Sequence, residues 1–197
     1  MNFFNSICVL ISACLFSMSL IEIPNKKDCL TVSPGGISGY WNSLASLQKL
    51  NNTEEYYCAS SGCLSIVSKD IPVIDLIILA VKSKKLKSFS KVKNKFILEL
   101  ISKIHYVPNM TIITMNSFGS CIQRKPRDKI ELLSLLITTT DVPFISNRAS
   151  KEMDGGLCLW LLKPCKKEIT VPKNYRFIIN LFNTQMKLSD VNYFYNY

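Results

Sequence analysis

The chain has a single histidine, His105, and its eight cysteines include no Cys-x-x-Cys pair. These two shortages exclude a zinc site of the usual kind, which draws on closely spaced Cys and His, and no metal or other cofactor is expected. Because no histidine follows His105, the Ser…Asp/Glu…His order of an α/β-hydrolase triad cannot be completed downstream. Helix-turn-helix, zinc-finger and RNP-like patterns are also absent, so no nucleic-acid partner is expected. Internal repeats and low-complexity tracts are missing too. Charged residues make up only 19% of the chain against 48% hydrophobic, which excludes a largely disordered protein and leaves enough apolar mass for one real core. What charge there is leans one way: the net charge of +10 favours anionic partners such as a membrane surface.

The most apolar segment comes first, in "MNFFNSICVLISACLFSMSLIEI". Its run from Ile7 to Leu20 is short for a bilayer span and right for a signal-peptide core, although no Lys or Arg precedes it. Ser17-Met18-Ser19 has the small-x-small form of a cleavage site. Residues 1–19 therefore read as a removed signal peptide, with a short membrane anchor and a buried first element as the alternatives. The corresponding location is the secretory pathway or a membrane, the alternative being intracellular. Cys58 and Cys63 stand in apolar surroundings and read as small buried residues. Disulfides among the other cysteines are open, since their spacing specifies none.

Further along, "DCLTVS" (28–33) reads as a strand running into the glycine loop "PGGISG" (34–39). Tyr40, Leu44, Leu47 and Leu50 recur at helical spacing. "EYYCAS" (55–60) reads as a strand and "GCLSIVS" (62–68) as the start of a helix. Helices are predicted over 71–81 and 92–104; in the second, Val92, Phe96, Leu100 and Ile104 form the apolar stripe, with Lys93, Lys95, Glu99 and Lys103 on other faces. Lys82, Lys84, Lys85, Lys87 and Lys91 make a basic connection between them, either a solvated linker or a platform for anionic lipid. "MTIITM" (110–115) and "EITVP" (168–172) read as strands and "KIELLSLLI" (129–137) as a helix. This order predicts an α/β fold, a three-layer α/β/α domain with a mostly parallel central sheet, over residues 28–197.

Gly-x-Ser-x-Gly lifts a serine onto a sharp strand-to-helix bend. Here the bend reads Cys58-Ala59-Ser60-Ser61-Gly62, between an apolar strand and a helix. Ser60 is thus a candidate nucleophile, and a helix N-cap is the plainer reading. A nucleophilic serine needs a base. His105, in "IHYVP", reads as a structural residue at a helix end, whereas Asp154 in "MDGG" suits a carboxylate at a strand end, or else an ordinary Asp-Gly turn. "SPGGISG" leads from a strand into a helix, where backbone N–H groups converge on an oxyanion. Gly35 and Gly36 are the candidate donors there.

A glycine loop, a serine elbow and Asp-Gly-Gly, in that order, resemble the patatin-like phospholipases over roughly residues 28–160. "SPGGISGYW" resembles the family's oxyanion segment, "CASSG" its elbow, and "TTTDVPFIS" (138–146) its stretch before the aspartate of "DGG". Pro34 and Cys58 stand where the family has glycine. The resemblance implies a serine lipid acyl hydrolase with Ser60 as nucleophile and Asp154 as base in a Ser–Asp dyad, acting on lipid or phospholipid acyl esters. The alternative is a catalytically weak or inactive member that binds membrane lipid.

The reading of the first segment is directly testable. Chain purified from its own cells should begin near Leu20, and two Asn-x-Thr acceptors, Asn51 and Asn109, would then meet the glycosylation machinery. Intact-mass measurement checks both; an N-terminus at Met1 would favour the anchor or the buried element. A chain lacking residues 1–19 should still fold.

Overall fold

A computed structural model of the chain describes residues 27–50, 55–84, 89–141 and 151–170. The apolar residues 1–19, Asn51, Lys85, Lys87 and the ends of the 138–146 and 168–172 segments lie outside these. Among the described residues the fold is α/β, with six strands and six helices. In chain order these are β1 (Lys27–Val32), α1 (Gly36–Gln48), β2 (Tyr56–Cys58), α2 (Ser61–Ser68), α3 (Val73–Lys84), α4 (Phe89–Lys103), β3 (Met110–Asn116), β4 (Cys121–Arg124), α5 (Lys129–Thr139), β5 (Glu152–Asp154), α6 (Gly156–Leu162) and β6 (Cys165–Ile169).

The sheet runs β4-β3-β2-β1-β6, with β5 also on β3. β1, β2, β3 and β6 are parallel neighbours, whereas β4 and β5 run antiparallel to β3. The mostly parallel sheet expected from the sequence is therefore present as a mixed one. Alternation divides its two faces. Leu30, Val32, Tyr56, Cys58, Met110 and Ile112 join the main core under α1 to α5. Cys29, Tyr57, Ala59 and Ile113 face the other way, against Cys158 and Leu159 of α6. Helices thus flank both faces, but unequally. The fully buried Leu and Ile side chains of the main core, such as Leu44, Leu76 and Leu132, each contribute roughly 1.5–3 kcal/mol relative to exposure.

Two sequence expectations need correction. The buried stripe of α4 keeps Leu100 and Ile104 as expected but differs in its first half: Lys93 and Ile97 are buried there, while Val92 and Phe96 are only half-buried. Lys93 therefore points into the protein. Nor are Cys58 and Cys63 separate thiols; they are joined, as are Cys29 with Cys165 and Cys121 with Cys158. Disulfides form and persist in oxidising compartments, so three of them indicate an extracellular or secreted setting. Among the described residues no helix is long and apolar enough to cross a membrane.

β5 is only three residues long, and two features hold it in place. Glu152 takes two hydrogen bonds from the Arg124 guanidinium, at 2.7 and 2.5 Å, and one from the Thr114 hydroxyl at 2.9 Å. Gly155 then lets the chain pass flush over β3: a Cβ there would lie 2.1 Å from the Ile113 carbonyl oxygen and 2.8 Å from the Thr114 nitrogen. Gly155→Ala should accordingly lower stability by roughly 2–4 kcal/mol, because backbone cannot yield as a side chain does. Gly36 has φ +61 but open space around it, so Gly36→Ala should lose only about 1 kcal/mol. Urea unfolding ranks the two; the reverse ranking would contradict the seating of β5 on β3.

Candidate active site

β2 ends at Cys58 and α2 begins at Ser61, so the chain must reverse within two residues. Ser60 makes the bend with φ 52° and ψ −133°, a left-handed backbone that L side chains rarely adopt. Such a conformation costs about 1–3 kcal/mol and persists only where surroundings impose it. Here they do. The Ser60 N–H donates to Thr139 Oγ1 at 2.9 Å, and that hydroxyl donates in turn to the Ile113 carbonyl at 2.8 Å. Gly62 N–H reaches the Ala59 carbonyl and Cys63 N–H the Ser60 carbonyl, each at 3.1 Å. A Cβ on Gly62 would stand 2.3 Å from the Val32 carbonyl oxygen, which explains the small residue two positions after Ser60.

The Ser60 hydroxyl does not cap α2. It lies instead near the Asp154 carboxyl, whose pKa it lowers. That disposes of the plain N-cap reading and brings together the two residues singled out in the sequence, 94 positions apart. Asp154 also accepts the Gly156 N–H at Oδ1, 2.7 Å away, and its own N–H donates to the Asp141 carbonyl at 2.9 Å. The carboxylate is therefore a fixed acceptor beside the elbow. Burial pushes its pKa up to about 6, partly offset by the Ser60 hydroxyl, the Gly156 N–H and the Lys93 ammonium, while the Asp141 carboxylate adds to the rise.

Thr139, Asp141 and Lys93 are the residues that sequence reasoning missed. The end of α5 lies between Ser60 and Asp154, with the Thr139 side chain on the Ser60 N–H and the Asp141 carbonyl on the Asp154 N–H. The Asp141 carboxylate pairs with Lys93 in a buried ion pair, and Lys93 Nζ also donates to the Ile137 carbonyl at 3.3 Å. Buried charges are expensive unless paired. The available signal was Lys93 itself, a charge four and seven residues before Ile97 and Leu100 of the apolar stripe.

The glycine loop meets this pair from β1. Gly35 N–H donates to Ser61 Oγ at 3.0 Å, so this candidate oxyanion donor already has a partner within the elbow. Gly36 is exposed and opens α1, in the turn whose N–H groups have no intrahelical acceptor. Pro34 packs beside Gly156, whose built Cβ would lie 3.0 Å from Pro34 Cγ. His105 is not brought to the site. It is exposed just beyond the end of α4 and lines a separate cavity of about 250 Å³ with Asp70, Asp75, Lys103 and Tyr106. That cavity lies beyond the far end of α2, about 12 Å along the helix from Ser60. Among the described residues no three His, Cys, Asp or Glu side chains are grouped to hold a metal ion. The chain matches no protein-family model and no curated protein.

Asp154 gives a stability signature. Its pKa is about 6 when folded against 3.8 for the ordinary group, so folding is penalised only where the unfolded chain would ionise it. The penalty is absent below about pH 4, grows up to about pH 6 and is complete above, at an order of 3 kcal/mol. Asp154→Asn should therefore stabilise the protein by about 1–3 kcal/mol at pH 7.5 and by nothing at pH 4. Urea unfolding at both values checks it, and equal stability at pH 7.5 would refute the buried carboxylate.

Proposed function

We propose that this chain is a serine lipid acyl hydrolase of patatin-like type, working with the Ser60–Asp154 dyad. One observation carries the proposal: a serine in a strained strand-to-helix bend stands beside a buried, backbone-anchored carboxylate. Asp154 is ionised at neutral pH and takes the Ser60 proton as Oγ attacks the acyl carbonyl. N–H groups of the glycine loop, at Gly35 and Gly36, receive the oxyanion, Gly35 exchanging Ser61 Oγ for the substrate. The alcohol leaves with the proton from Asp154, and water then releases the fatty acid by the same route in reverse.

Apolar surface beside the dyad supports a lipid substrate. α6 starts two residues after Asp154 and reads "GLCLWLL", with Leu157 52% and Trp160 63% exposed. Phe118, in the turn between β3 and β4, is 90% exposed. Lys82 and Lys91, expected in a linker, lie instead in the last turn of α3 and the first turn of α4; both are exposed and support an anionic membrane surface as partner. The disulfides and the apolar residues 1–19 together support the secretory pathway or a membrane-associated location. The second reading, a lipid-binding protein with weak or no turnover, is favoured by the engagement of the Gly35 N–H with Ser61.

A fluorophosphonate probe separates the two, since only an activated serine is modified. Labelling should map to Ser60. Ser60→Ala and Asp154→Asn should each lower ester turnover by roughly 10³-fold or more, with the double variant little worse, because residues acting as one unit are not additive. His105→Ala should keep most activity. Activity lost with His105 and kept with Asp154→Asn would overturn the dyad. Trp160→Ala should weaken turnover of vesicle-borne lipid while leaving a short soluble ester unaffected.

A further inference from the structure

Ser60 sits inside a covalent ring. Cys58, the last paired residue of β2, and Cys63, the third residue of α2, are joined, with their Cα atoms 5.1 Å apart. Fully extended, the same five steps would span about 17 Å. Cys58 also occupies the position where the Gly-x-Ser-x-Gly turn carries its first, most permissive residue. Both cysteines are completely buried in the main core, beneath the bend, while the Ser60 hydroxyl lies near Asp154.

The three disulfides differ in what they can do. Cys29–Cys165 and Cys121–Cys158 close separations of 136 and 37 residues and belong to the α6 side of the sheet. Cys58–Cys63 closes a separation of 5. A crosslink restrains the unfolded chain less as its loop shortens, so this one adds least to global stability. Its constraint falls instead on the four residues between the sulfurs, the stretch that must hold φ 52° at Ser60.

We propose that the Cys58–Cys63 disulfide positions the nucleophile: it is a brace that keeps Ser60 in its left-handed bend with the hydroxyl near Asp154, so that full activity requires the oxidised chain. The inference rests on the hydrolase reading above and adds a redox requirement to the same site. Opening the brace with a dithiol breaks one S–S bond and forms two thiols; the reagent supplies two electrons and two protons and becomes a cyclic disulfide. The bend then relaxes while β2 stays paired with β1 and β3.

The test compares full-length wild type, Cys58→Ala/Cys63→Ala, and Cys29→Ala/Cys165→Ala. Each is assayed with a short soluble ester for kcat and KM, with a fluorophosphonate for the Ser60 labelling rate, and by thermal unfolding. The brace variant should unfold cooperatively and keep KM within about threefold, yet lose at least about tenfold in kcat and labelling rate, as expected for a displaced nucleophile. The Cys29/Cys165 variant should lose more in Tm and less than about twofold in kcat. Should the brace variant fail to fold, wild type opened stepwise with dithiothreitol and alkylated serves instead. The fraction of chains alkylated at Cys58 and Cys63, read by peptide mass, should track the loss of labelling. Turnover and labelling unchanged in the brace variant, or in chains opened at both cysteines, would overturn the brace alone. A wild type that neither turns over ester nor labels at Ser60 would instead overturn the hydrolase reading.

Discussion

Because β2 pairs only with Met110–Ile112 of β3, that edge of β3 is free again from Thr114 onward, and β5 fills it from the opposite direction. β4 occupies the other edge over Ile112–Met115, so on this stretch of β3 only the β2 side is open to β5. The end of β2 and the end of β5 therefore face each other along one strand. Ser60 leaves the first and Asp154 closes the second. Every contact of the dyad follows from this division of one edge. The devices around it serve to keep the division: Gly155 against the Ile113 carbonyl, Thr139 between that carbonyl and the Ser60 N–H, and Arg124 on Glu152.

The site concentrates features that work against stability. It holds a non-glycine residue at positive φ, a carboxylate pushed up to about 6 by burial, and a buried Lys93–Asp141 pair. The second oxygen of Asp141, also buried, accepts no hydrogen bond among the described residues. Each is individually unfavourable by a kcal/mol or more, and features of this kind cluster where a protein yields stability for function. The crosslinked sheet offsets them. Two disulfides fasten β1 to β6 and β4 to α6, on the face where the helical cover is thinnest.

How much of this was legible follows from the range of each signal. Ser60 and Asp154 were readable because elbow and Asp-Gly-Gly chemistry is local: small residues at fixed offsets answer backbone demands within a few positions. The long helices were readable from apolar spacing, with boundaries off by up to three residues or so, as at α3 and α4. Contacts between distant segments were not. β4 and β5, four and three residues long, are too short to show an alternating pattern and exist through pairing with β3. Lys93 was assigned outward because charge usually is; only its partner, 48 residues on, reverses that. Cys58 and Cys63 were read as separate buried residues, because whether a strand end and a helix start bring two sulfurs together depends on the bend between them.

The two departures from glycine, Pro34 and Cys58, acquire a common meaning in this geometry. At both places the chain exchanges backbone freedom for a tie. Pro34 cannot adopt the positive φ open to glycine, but its ring lies against the start of α6, just past Asp154. Cys58 crosslinks the far side of the elbow. Between them, the Gly35 N–H bonded to Ser61 Oγ joins the loop to the elbow directly. Loop, elbow and α6 are thus coupled as one piece rather than three adjustable ones. A site assembled this way gains preorganisation, which favours a transition state whose donors must already be aimed. It also becomes dependent on each tie. Ser61, itself buried, is the critical point of that dependence, because its hydroxyl holds the N–H that the oxyanion would need. If the chain is the hydrolase proposed above, its turnover would be governed by how readily one hydroxyl rotates away, and not by the mobility of the loop as a whole.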